Sequence, residues 1–182
     1  MFHFFNFDLN SKDMGTGIEA WLEKDTLASN VSRGLISGVL GGLAGTLVKV
    51  AIERALPVRK PNTKSAQLKM VDELSVKVSG EPISSSNKEL AEQLVNFPFG
   101  ASIGATYGYG KRDDMETSLF DGAMLGATTW VGTHETSFPM LGLTEEPEDI
   151  PMKLQANELI AHVAFGLTLE VVRAFVARRL RD

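Results

Sequence analysis

The sequence has no cysteine. Disulfide scaffolds, thiolate-ligated zinc, iron–sulfur clusters and thiol nucleophiles are thereby excluded. Histidine is nearly as scarce: only His3, His134 and His162 occur, so any imidazole site must be small. There are two Trp, two Tyr and seven Pro in 182 residues. Positive charge is not in excess either. Lys and Arg number 18 against 23 Asp and Glu, for a formal charge of -5. With a pI near 5.3, binding to nucleic acid through phosphate neutralisation is not expected. The opening residues MFHFFNFDLNSKD lack the basic start and uninterrupted apolar core of a secretory signal. Strand patterning is also missing: period-two alternation is short, and no hairpin-bounded runs occur.

What the chain does have is apolar segments at helix length. A mean hydropathy of -0.01 conceals them. The first, 34–52, reads GLISGVLGGLAGTLVKVAI and carries one charge, Lys49, near its end. At about 1.5 Å per residue it nearly crosses a hydrocarbon layer of about 30 Å. Pro57 and Pro61 are expected to stop it. The second segment, about 90–109, has no charge from Gln93 to Gly110 and is kinked by Pro98. The third, about 119–137, is interrupted by Asp121, His134 and Glu135 and ends at Phe138-Pro139. The fourth, about 154–176, contains Glu158, His162, Glu170 and Arg173. Between the first two lies a polar connection, about 57–89, with an amphipathic helix near 65–78. Residues 1–30 form an arm with an aromatic cluster, Phe2, Phe4, Phe5 and Phe7, and a weakly helical stretch suited to a membrane surface.

Glycine spacing separates a soluble bundle from a membrane one. Gly34, Gly38 and Gly42 recur every fourth residue, as do Gly100, Gly104 and Gly108, and Gly122 and Gly126. Each interior Gly costs a helix in water about 1 kcal/mol relative to Ala. In lipid, small residues four apart let helix backbones approach and pack by dispersion. The expected fold is therefore all-α: a small integral membrane bundle of about four transmembrane helices with glycine-zipper packing, over residues 31–182. The small-residue faces serve either packing within one chain or self-association.

The same residues resemble a known family. Gly34-Leu35-Ile36-Ser37-Gly38-Val39, followed by Lys49, Glu53, Pro57, Arg59 and Pro61, looks like the first helix and exit of YagU-like inner membrane proteins. His134, Phe138-Pro139, Gly142-Leu143-Thr144, Pro151, Glu158, His162, Glu170 and Arg173 follow in the order and nearly the spacing of that family. The resemblance covers most of 34–181 but not the arm. It implies a multi-pass protein of the bacterial inner membrane, of unknown biochemical role, with a link to acid or stress tolerance. It implies no enzyme activity.

Charges inside spans are costly and face a partner or a cavity. Lys49 and Glu53 are four apart and can pair, as an interfacial anchor or as part of a polar network. Glu158 and His162 share a face of the fourth helix, and His134 and Glu135 lie at a similar depth on the third. Three roles fit His134, Glu158 and His162: a divalent-metal site, a proton relay, or a polar network locking two helices. The spacing matches neither the zincin nor the di-iron pattern. Glu170 and Arg173 read as a helix-end ion pair. GGLAGTLVK is not a phosphate loop, since no Gly-Lys-Ser/Thr follows and no strand precedes it. No nucleophile constellation is present, so a non-enzymatic membrane component needing no cofactor is expected, with a soluble helical interaction protein as the remaining alternative. Its expected partners are the lipid bilayer and either a second copy of itself or a larger membrane complex. Arg33, Lys111, Arg112, Arg178 and Arg179 cluster at helix ends on one side, which favours both termini in the cytoplasm.

Overall fold

The computed structural model describes residues 11–56 and 64–181, and the side chains of that range except 11–23 and 25. Phe2, Phe4, Phe5, Phe7, Pro57 and Pro61, and the side chains of the weakly helical stretch before Lys24, lie outside the described residues. No strand occurs among the described residues. Helix α1 is Ser11–Ala55, α2 is Ala66–Ser79 and α3 is Lys88–Gly110. Helix α4, Leu119–Trp130, passes into a π-helical segment, Val131–Ser137, and a last turn, Phe138–Met140. Helix α5 is Met152–Arg179. The boundary expected near residue 30 is not marked by a break, because α1 runs through it.

Local chemistry sets several of these limits. Ser65 caps α2 by accepting the Leu68 N–H, and Gly80, at φ +80, ends it in the left-handed conformation. Ser118 caps α4 by accepting the Asp121 N–H. The π-helical segment precedes Pro139, which has no N–H and whose ring crowds the carbonyl four residues back. The Phe138 N–H accordingly bonds to Thr133 O, five residues back.

Helices α1 and α5 form the centre; α3 covers α1 and α4 covers α5. Glycines set the approach. A Cβ on Gly38 would lie 2.0 Å from Gly104 O, and one on Gly104 would lie 2.1 Å from Gly38 O. Gly34 faces Gly108 and Gly42 faces Gly100, so α1 and α3 are antiparallel and in backbone contact along three turns. Gly122 faces Gly166, and Gly126 faces the His162 carbonyl, which draws α4 onto α5 in the same way. Gly41 and Gly45 seat α1 on Leu169 and Phe165 of α5. Thus the regularly spaced glycines pack against partners within the chain.

Much of the interior is polar, and many large apolar side chains lie on the exterior. Among the described residues the buried hydrophobic ones are mostly alanines, with Leu68, Leu143, Phe165 and Leu169 the only large ones. Arg33, Lys49, His134, Glu158, His162, Glu170 and Arg173 are buried, while Leu35, Ile36, Leu40, Leu47, Phe120, Ile160 and Phe175 are exposed. A domain folded by water does the reverse. Among the described residues, two helices are long and apolar enough to cross a membrane: Thr26–Ala55 of α1, and α5. The other two fall short individually for visible reasons. Helix α3 opens with Lys88, Glu89 and Glu92, and α4 is only 12 residues long before its backbone widens.

Candidate functional site

Glu158 and His162 lie one turn apart on the buried face of α5. His134 reaches them from the π-helical segment. One potential ligand atom from each of the three lies within 4.8 Å of the others, and all three residues are buried. His134 Nε2 is 3.7 Å from Glu158 Oε2. The two imidazoles meet edge to face with centroids 5.0 Å apart, and Phe138 packs edge-on against His134 at 5.2 Å. His162 Nδ1 lies 2.8 Å from the Glu158 carbonyl oxygen. A carbonyl can only accept, so Nδ1 is the donor, and in the neutral ring Nε2 then keeps its lone pair. Gly126 supports this geometry from α4: a side chain there would strike the His162 carbonyl at 2.1 Å.

Three cavities converge on the cluster. One of about 160 Å³ is bounded by His162, Lys49, Phe99, Thr133 and Phe165, in the gap between α3 and α4, with Ala66, Gln67 and Met70 of α2 across its mouth. A second, of about 130 Å³, reaches His134 and Glu158 and has Glu135 on its wall. The third, of about 400 Å³, is an acidic vestibule lined by Glu53, Glu89 and Glu92 that ends on Asn157 and Glu158. Lys49 Nζ donates to Glu53 Oε1 at 2.6 Å, so the pair read from the sequence forms, beside the vestibule. Arg54 pairs with Glu89 at its rim.

Glu170 and Arg173 pair as well, but not as a simple helix-end ion pair. Both are fully buried. Arg173 Nε donates to Glu170 Oε2 at 2.7 Å, and its two terminal nitrogens donate to the carbonyls of Asp114 and Glu116. Glu170 Oε1 accepts the Ser118 N–H at 2.9 Å. Arg33 of α1 donates to the Arg112 carbonyl, and Asn30 Nδ2 to Asp113 Oδ1. The 111–118 connection is therefore clamped from both central helices, which it must cross because α3 and α4 are not neighbours. Lys111, held by Asp121 and Asp114, has its pKa raised; Asp114 is lowered by Lys111 and by the Glu116 N–H.

Sequence reasoning missed Arg33 as a buried clamp, and it missed Asn157, Thr133 and Asp72. Asp72 carries a usable signal, an acid in the middle of an amphipathic helix. It takes Lys64 Nζ at 2.5 Å and the Ile83 N–H at 3.1 Å, pinning the turn after α2. The Lys64 contact lowers its pKa.

Residues 43–171 match the family model of DUF1440, proteins of unknown function, and the chain belongs to that family. The matched span contains every member of the buried cluster and lies within the region that resembles YagU-like proteins. No curated protein matches the chain. No solved structure matches it either.

Proposed function

We propose that this DUF1440 chain is a multi-pass protein of the bacterial inner membrane, in which four helices cross the bilayer around a polar interior. One observation carries the reading: Arg33, Lys49, His134, Glu158, His162, Glu170 and Arg173 are buried within the helices while many large apolar side chains lie outside. In water that distribution would expose Leu, Ile and Phe over most of the bundle while burying charges, both unfavourable. In lipid it is the expected arrangement. The antiparallel glycine contacts support zipper packing of α3 on α1 and of α4 on α5, so that the two less apolar helices cross with the two apolar ones. Because these glycines are used within the chain, a second copy or a larger membrane complex would meet the bundle on its outer apolar faces.

Four spans put the 111–118 connection and both termini on one side. Arg33, Lys111, Arg112, Arg178 and Arg179 support the cytoplasmic assignment of that side. Helix α2 and the acidic 141–151 connection then face outward, and the acidic vestibule opens toward them. The role is that of a non-enzymatic membrane component built around this interior, and the YagU-like resemblance supports a place in acid or stress tolerance.

The test is partition of the full chain after an alkaline wash, with detergent extraction as control. Retention in the pellet is expected, and release into the supernatant would overturn the membrane reading. The absence of native cysteine makes a second test clean. In intact spheroplasts, Glu148→Cys should label with an impermeant maleimide, and Glu116→Cys only after permeabilisation. Equal labelling of both would remove the four-span topology.

A further inference from the structure

We propose that His134, Glu158 and His162 bind a divalent transition-metal ion of the borderline class, zinc foremost. Two imidazoles and a carboxylate are the ligand types such ions select, and the same set binds alkaline-earth ions poorly. The three come from two different segments, are buried, and already bring one potential ligand atom each within 4.8 Å of the others. Tetrahedral bonds of about 2.1 Å place ligand atoms about 3.4 Å apart. The His134–Glu158 separation, 3.7 Å, is close to that value. No separation among these ligand atoms exceeds 4.8 Å, so side-chain movements of at most about 1.4 Å bring them to that spacing.

Three further features support a metal over a polar lock between helices. His162 Nδ1 donates to a backbone carbonyl, the outer contact that orients a metal-bound histidine and leaves Nε2 to ligate. The cavity lined by Glu53, Glu89 and Glu92, with Arg54 paired to Glu89 at its rim, reaches Glu158 and gives the cluster a carboxylate-lined approach. Three protein ligands leave a position for water or a small ligand, and cavities of about 130 and 160 Å³ adjoin the cluster. The three residues meet in the same way whether two helices or four cross the bilayer.

The test uses the full-length chain in detergent, with its affinity tag removed, stripped with chelator and dialysed against zinc chloride. One zinc per chain is expected by elemental analysis. Affinity should fall by about 100-fold or more in Glu158→Gln and in His162→Gln, more than the loss of an outer contact brings. His134→Asp, which keeps a ligating oxygen, should retain zinc better than His134→Gln. His3→Ala should retain it fully. Folding is checked on every variant by its melting profile, and cobalt absorption gives an independent reading of an oxygen- and nitrogen-ligated site. Failure of the folded parent chain to hold zinc would overturn the proposal. So would equal zinc retention in the Glu158→Gln/His162→Gln double variant. If zinc is not held but a carboxylate or imidazole proton exchange is lost in these variants, the cluster is a proton relay instead.

Discussion

Replacing Gly38 by Ala should destabilise the protein although alanine is the better helix former. A Cβ at Gly38 falls 2.0 Å from Gly104 O, whereas ordinary contact begins near 3.4 Å. The helices must therefore part by about 1.4 Å at that point, because the obstacle is backbone and cannot rotate away. Overpacking costs about 3 kcal/mol at the upper end of its usual range, offset by about 1 kcal/mol of helix propensity. The net loss of about 2 kcal/mol corresponds to about 4–8 °C in melting temperature for a chain of this size. Gly110→Ala is the matched control: it ends α3, and nothing lies within 4 Å of its Cβ position. It should melt at or slightly above the parent temperature. The assay is thermal unfolding in one detergent, followed by the fluorescence of the two Trp residues. Gly38→Ala/Gly104→Ala should lose less than the sum of the single changes, since the first already parts the helices. A Gly38→Ala variant as stable as the parent would refute the packing argument, and with it the placement of α3 on α1.

The remaining predictions concern the polar contacts. Glu170→Gln should destabilise by about 3–5 kcal/mol, because it leaves the buried Arg173 guanidinium without its counter-charge; limited proteolysis should then cut within 111–118, and an uncut loop would argue against the clamp. The Asp114–Lys111 pair should hold the same loop over a broad pH range. Asp114 lies below its ordinary value of 3.8, so its contribution is present above that value and is lost as pH falls through the lower folded value. Lys111 lies above 10.5, so its contribution is complete below that value and lost only in stronger base. The melting difference between parent and Asp114→Asn should be constant through neutral pH and shrink below 3.8; a difference that grows in acid would contradict the pairing. Asp72→Ala should cost about 1–3 kcal/mol by stranding the Ile83 N–H, and should speed hydrogen exchange at Ile83 before exchange in α5 changes.

Much of this architecture is written in spacings. Gly34, Gly38 and Gly42 on one segment and Gly100, Gly104 and Gly108 on another announce two faces that admit backbone, and these faces meet. Glu158 and His162, four apart, had to share a face of any helix, and His134 could be matched to them in depth by counting from a common acidic loop. What the spacing could not supply was the order of the helices around the centre. That order depends on which glycine face meets which, and every glycine face is chemically alike. It also decides what Arg173 does. On the sequence, Glu170 and Arg173 are three apart and satisfy each other. In the fold, the connection from α3 to α4 must cross the ends of α1 and α5, and its exposed carbonyls need donors. The guanidinium has five, more than Glu170 can use, and the surplus goes to Asp114 and Glu116. Lysine could neutralise Glu170 but could not span the carboxylate and both carbonyls in the same planar fork. The His134 side chain depends likewise on a backbone irregularity. Pro139 widens the turn that carries it, and without that widening a regular helix would rotate each successive position and direct the imidazole elsewhere. Thus one proline, placed five residues after His134, links the backbone of α4 to the geometry of the buried cluster.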